Sequence, residues 1–121
     1  MPHSRTRTGQ IAEAHALAHY RRQGYELIEQ NPRTRYGEID LIVANEQTLV
    51  IAEVRARVEG RGDPLESFSA AKRKQVRRMA ASWLASDARM IRRSQIRLDA
   101  VAVTVTAAGA LVSLQVLEGA L

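Results

Sequence analysis

Two acidic residues, Asp40 and Glu53, stand in neighbouring apolar runs whose spacing brings them face to face. Residues 37–44 and 49–58 are rich in Ile, Leu and Val, and the polar tip Asn45, Glu46, Gln47 and Thr48 separates them. That is the pattern of an antiparallel hairpin. If Asn45 faces Thr48, counting back along both strands sets Asp40 directly opposite Glu53 and Glu38 opposite Arg55. Opposed Cβ atoms lie ~4.5 to 5.5 Å apart, and like charges so placed are destabilising unless something compensates them. Two carboxylates at that separation can share one Mg²⁺ or Mn²⁺, hard cations that prefer oxygen ligands and keep water positions open. Alternation along the strand adds Arg55 to the face of Glu53.

A cross-strand charge lattice accounts for the same residues without a metal, because Glu38 would neutralise Arg55. Exposed pairs of this kind contribute little. Against that reading, Ile39, Leu41, Ile42, Val50, Ile51 and Val54 make the strand pair apolar on both faces, where acids are costly without a purpose. From the residues alone, metal site and lattice both stand.

These strands need elements around them. Residues 9–23 read as a helix with Ile11, Ala14, Leu17 and Ala18 as its apolar stripe and Gly24 as its stop. A short strand follows at residues 25–30, then a turn at Asn31 and Pro32. After Gly60 and Gly62, the residues Asp63, Pro64 and Glu66 suggest an N-cap, a first-turn proline and a capping-box partner for a helix ending near Ser86. Its apolar side would use Phe68, Val76, Met79, Ala80, Trp83 and Leu84, with the basic residues facing away. Residues 96–106 and 111–117 read as two further strands. The order αβββαββ implies one α/β domain over residues 1–121, a mixed central sheet of about five strands flanked by two main helices.

Composition narrows the functions open to such a domain. No cysteine is present, so disulfides, thiolate metal sites and zinc ribbons are excluded, and any metal must be held by oxygen or imidazole. Residues 1–9 lack the apolar region of a signal peptide, and residues 100–112 fall short of the ~20 that a membrane helix requires. A cytoplasmic protein without membrane association is the expectation. The net charge of +5 is unevenly spread: residues 55–97 hold twelve Lys/Arg and four Asp/Glu, whereas residues 98–121 hold none and two. A basic central segment favours polyanions through counterion release. Arg33, Arg35, Arg57, Lys72, Arg73 and Arg77 are the candidates for phosphate contacts. His15 and His19 share helical spacing, but with no glutamate between them they read as a solvated face; Trp83 reads as core. Tyr36, ahead of the hairpin, is open to either surface or ligand.

The run Gly37, Glu38, Ile39, Asp40, Leu41, Ile42, followed by Glu53, Val54, Arg55 and Arg57, resembles the signature of the uncharacterised YraN-type family of the PD-(D/E)XK nuclease superfamily. The likeness spans most of the chain: Glu13 resembles that family's first-helix acid, Asn31 and Arg33 fit the segment before the hairpin, and Lys72 matches the lysine opening the second helix. Arg97, Leu98, Asp99 and Val101 resemble its later strand. The resemblance implies a restriction-endonuclease-like fold and hydrolysis of phosphodiester bonds in DNA, in the manner of Holliday-junction resolvases, with Mg²⁺ or Mn²⁺. It further implies metal ligation by Asp40 and Glu53 with a contribution from Glu13, and a catalytic position at Arg55 where the superfamily places lysine. Arginine stays protonated and cannot be a general base, though it can stabilise charge on a phosphate. The alternative is a nucleic-acid-binding domain of the same fold without turnover. A homodimer formed through an exposed strand at residues 111–117 is a further expectation.

Overall fold

The computed structural model of the protein describes residues 6–61, 68–86 and 93–121. The first helix, α1 (Arg7–Arg22), starts at Thr6, whose Oγ1 accepts the Gly9 N–H at 2.9 Å, and stops before Gly24, which takes φ +93°. Strand β1 (Glu26–Gln30) follows, then the two-residue strands β2 (Arg33–Thr34) and β3 (Gly37–Glu38), which pair only with each other. Strands β4 (Leu41–Ala44) and β5 (Thr48–Val58) form the expected hairpin, α2 (Ala70–Ser86) crosses over, and β6 (Gln95–Val105) and β7 (Leu111–Leu117) close the chain.

The main sheet runs β1-β4-β5-β6-β7, with β5 and β6 parallel and the other pairs antiparallel. Strand β5 sits in the centre, and its first seven residues are buried because a helix covers each face. Ala12, Ala16 and Tyr20 of α1 pack on Leu41, Val43, Val50, Ala52 and Val101; Val76, Met79, Ala80 and Trp83 of α2 pack on Ile42, Leu49 and Ile51. The mixed five-stranded sheet between two helices is the restriction-endonuclease-like architecture the sequence led us to expect. No described helix is long and apolar enough to cross a membrane. Strand β7 forms one edge of the sheet, with Leu111 and Val112 exposed.

Three local expectations are corrected. The span 37–44 is not one strand: it divides into β3 and β4, with Ile39 and Asp40 between them. The inward stripe of α1 is Ala12, Glu13, Ala16 and Tyr20, while Ala14 is exposed, because Glu13 and Tyr20 carry hydrogen bonds that make their burial tolerable. His15 is half-buried and its Nε2 lies 3.2 Å from the Gly109 carbonyl, so this face of α1 is packed rather than solvated. At the start of α2, Ser69 caps the helix, its Oγ accepting the Lys72 N–H at 3.2 Å. The cap expected at Asp63, Pro64 and Glu66 lies outside the described residues.

Candidate functional site

The hairpin tip fixes the register on which the site depends. Asn45 Oδ1 accepts the N–H groups of Gln47 and Thr48 at 2.9 and 2.7 Å, and the Asn45 N–H donates to the Thr48 carbonyl. From this turn the ladder pairs Ala44 with Leu49 through to Leu41 with Ala52, the register expected from the sequence. One step further, Asp40 and Glu53 stand on the α2 side of the sheet and line one cavity of about 280 Å³.

At Asp40 the strand leaves the ladder. The Val54 N–H, which a β4 carbonyl would otherwise accept, donates instead to Asp40 Oδ2 at 2.7 Å. The Asp40 carbonyl turns toward Asn31, accepting its N–H at 3.2 Å and its Nδ2 at 3.3 Å. Asn31 holds φ +58°, a left-handed conformation that asparagine tolerates better than most residues. Its Nδ2 also donates to Glu13 Oε1 at 3.0 Å. Asn31 thus ties the buried acid of α1 to the backbone that presents Asp40. This departure overturns the Glu38–Arg55 pairing: Glu38 lies opposite Arg33 in the β2–β3 hairpin and forms an ion pair with it, at 3.8 Å.

Glu53 Oε2 receives two cations, Arg55 Nη1 at 2.9 Å and Lys72 Nζ at 3.1 Å, and the glutamate is nearly fully buried. Lys72 Nζ also donates to Gln75 Oε1 at 3.1 Å, and Gln75 Nε2 donates to the Tyr36 carbonyl at 2.9 Å, linking α2 to the β2–β3 hairpin. Close approach there requires Gly37. At φ +139°, a Cβ on this residue would meet Gln75 Nε2 at 2.9 Å and Met79 Sδ at 3.0 Å. Phe68 lies under the Arg55 guanidinium, 5.7 Å from ring centroid to Cζ.

Charge in the cavity is unequally supported. Burial, then the Glu53 carboxylate, pushes Asp40 from 3.8 up to about 8; Glu13 adds to the rise, while the Val54 N–H and Arg55 oppose it. Asp40 therefore favours its proton at neutral pH unless a cation takes that proton's place. The donor set suits a hard divalent ion, two carboxylates from adjacent strands with Glu13 close enough to be felt. Among the described residues, no group of three or more His, Asp or Glu side chains forms a ready-made ligand cluster.

The remaining predicted residues fall into two sets. Arg33, Arg55 and Lys72 line the cavity with the carboxylates. Arg35 stacks over Tyr36 at 5.3 Å on the exposed hairpin, and Arg73 and Arg77 point to solvent from the outer face of α2. Arg57 lies two positions beyond Arg55 on β5 and is half-buried. Trp83 is core, as expected, its Nε1 donating to Glu29 Oε1 at 2.9 Å. Sequence reasoning did not foresee Gln75, although its place three residues after Lys72 puts both on one helix face. It named Asp99 only within the resemblance to the later strand, not as a buried acceptor, which here takes Tyr20 Oη at 2.8 Å, Arg97 Nε at 2.8 Å, Arg97 Nη2 at 2.9 Å and the Gly119 N–H at 3.0 Å. Burial, with Asp99 beside it, raises the Tyr20 hydroxyl well above its ordinary range. Hydrogen bonding to Asp99 likewise holds Arg97 charged.

Fold and site together define a restriction-endonuclease-like α/β domain that gathers two acids and two cations at one break in its sheet. Residues 12–103 match the model of the uncharacterised protein family UPF0102, and the chain belongs to that family, the YraN-type family its motifs resemble. A UPF0102 protein of Moorella thermoacetica is 38% identical over 121 residues, covering 99% of each chain. One from Alkalilimnicola ehrlichii is 43% identical over 95 residues, covering 78% of this chain and 75% of the relative. A third, from Clavibacter michiganensis subsp. michiganensis, is 40% identical over 96 residues, covering 78% of this chain and 80% of the relative.

Proposed function

We propose that this protein is a divalent-cation-dependent nuclease that hydrolyses phosphodiester bonds in DNA, with Asp40 and Glu53 holding Mg²⁺ or Mn²⁺ and Glu13 supporting them. One observation carries the reading: Asp40, just before β4, and Glu53 of β5 line one cavity with Arg55 and Lys72, and burial beside Glu53 raises the Asp40 pKa so that a bound cation would be favoured there. A divalent ion bound there supplies charge for the phosphate oxygens and lowers the pKa of a water. The chain's own residues do the rest. Arg55 and Lys72 are fixed positive charges beside Glu53, suited to orienting a phosphate and stabilising negative charge that develops on it. Arg55 stays protonated and cannot take a proton from water.

The test is nicking of supercoiled, branched and single-stranded DNA in Mg²⁺ and Mn²⁺. Activity that survives Glu53→Ala would exclude this site. A second reading, a nucleic-acid-binding domain without turnover, is favoured by one specific feature: Arg55 and Lys72 already occupy Glu53 Oε2. Salt-sensitive DNA binding with no product under either metal would select it.

A further inference from the structure

Past Glu53, β5 and β6 continue side by side while β4 does not, since β4 begins at Leu41 opposite Ala52. The parallel register sets Arg55 beside Ala102 and Arg57 beside Thr104, and β7 extends these rows with Gln115 and Ser113. On this face, which holds Glu53, the rows are small or polar. The intervening Val101, Val103 and Val105 face α1.

Both arginines are left with an unmet donor. The Nε atoms of Arg55 and Arg57 are buried and have no hydrogen-bond partner. Arg55 at least reaches Glu53 through Nη1, whereas Arg57 forms no ion pair among the described residues. A buried donor on a charged group is costly when unpaired, and no acceptor meets either Nε among the described residues. The acceptor that suits two guanidinium forks is phosphate, which each can meet with paired N–H groups. Same-face neighbours on a strand are ~6.6 Å apart, close to the spacing of successive phosphates along one nucleic-acid strand. Glu59, the next residue in the alternation, is exposed and acidic, so the basic row is two residues long.

We infer that Arg55 and Arg57 hold two successive phosphates of a single nucleic-acid strand, whose backbone follows β5 and meets the Asp40–Glu53 pair at one end of the contact. The inference rests on the nucleic-acid reading above and adds the path and register of the bound strand.

Two measurements on the full chain, both in metal-free buffer, test it. Anisotropy of a labelled single-stranded oligonucleotide across a salt series should show that Arg57→Gln weakens binding and reduces the slope of log K against log salt by about 1. Arg21→Gln, an exposed charge on α1, should leave the slope unchanged. On the wild type, which removes any question of folding, the Nε–Hε NMR signals of Arg55 and Arg57 should both shift when a 5′-phosphorylated dithymidylate carrying two phosphates is added. An unchanged slope in a folded Arg57→Gln variant, or an Arg57 signal that stays still while Arg55 moves, overturns the inference and leaves the proposed function standing. A wild type that binds no oligonucleotide in metal-free buffer but nicks DNA with Mg²⁺ or Mn²⁺ overturns the inference alone; one that neither binds nor cleaves under either metal overturns both.

Discussion

Asp40 takes the place of a backbone acceptor in the sheet: its Oδ2 receives the Val54 N–H at 2.7 Å where β4 has left β5. This one contact aims the carboxylate, ends the strand and separates two substitutions that would otherwise look alike. Asp40→Asn keeps an oxygen for Val54 and removes the charge, so the fold persists with stability equal to or above wild type at alkaline pH. Asp40→Ala leaves the N–H unmet and costs about 1–3 kcal/mol. Urea denaturation ranks the three proteins, and calorimetry with Mn²⁺ should show heat for wild type only.

The raised pKa of Asp40 gives stability a definite pH slope. In the folded chain the group titrates near 8, against 3.8 ordinarily, so between these values the folded state holds a proton that the unfolded state releases. Stability from this group is complete below about 4 and is lost as pH rises through about 8. Asp40→Asn flattens that slope. A cation competes with the same proton, so Mn²⁺ affinity rises with pH up to about 8 and then levels. Titrations at pH 7 in two buffers of different ionisation heat should register proton release on binding; identical heats would contradict it.

Asp99 anchors α1 to β6 from the far side of the sheet. Tyr20→Phe removes one of its four hydrogen bonds and costs about 1–2 kcal/mol in urea denaturation. Asp99→Ala leaves Arg97, whose side chain is 14% exposed, with only its 3.4 Å ion pair to the exposed Glu118, and costs about 3–5 kcal/mol. Equal losses for the two variants would show that Arg97 is satisfied elsewhere.

Gly37→Ala places a Cβ against Gln75 and Met79 at a backbone angle suited to glycine. The strain costs about 1–3 kcal/mol. Because Gln75 would be displaced from Tyr36, the loss should be accompanied by weaker Mn²⁺ binding through Lys72 and Glu53, whereas a surface change such as Arg21→Gln should alter neither.

Much of the architecture was legible in the residues. The apolar runs are buried on both faces, so it is the polar Asn45–Thr48 tip, not the hydrophobic period, that sets the register. That register alone opposed Asp40 and Glu53. Helix α2 and strands β5, β6 and β7 were likewise readable from local period and from the glycines that interrupt it.

What tertiary structure alone decided concerns polar groups whose partners are distant in the chain. Glu13 and Tyr20 face inward on α1 because Asn31 and Asp99 receive them, the latter from 79 residues away. Gln75 turns toward the site because Tyr36, 39 residues earlier, offers a carbonyl. Strand β4 stops at Leu41 because a side chain, not the backbone, answers Val54. A hydrophobic period records which residues avoid water, and local turn chemistry records where the chain can bend. Neither records where a buried hydrogen bond finds its other half, which only the packed chain determines.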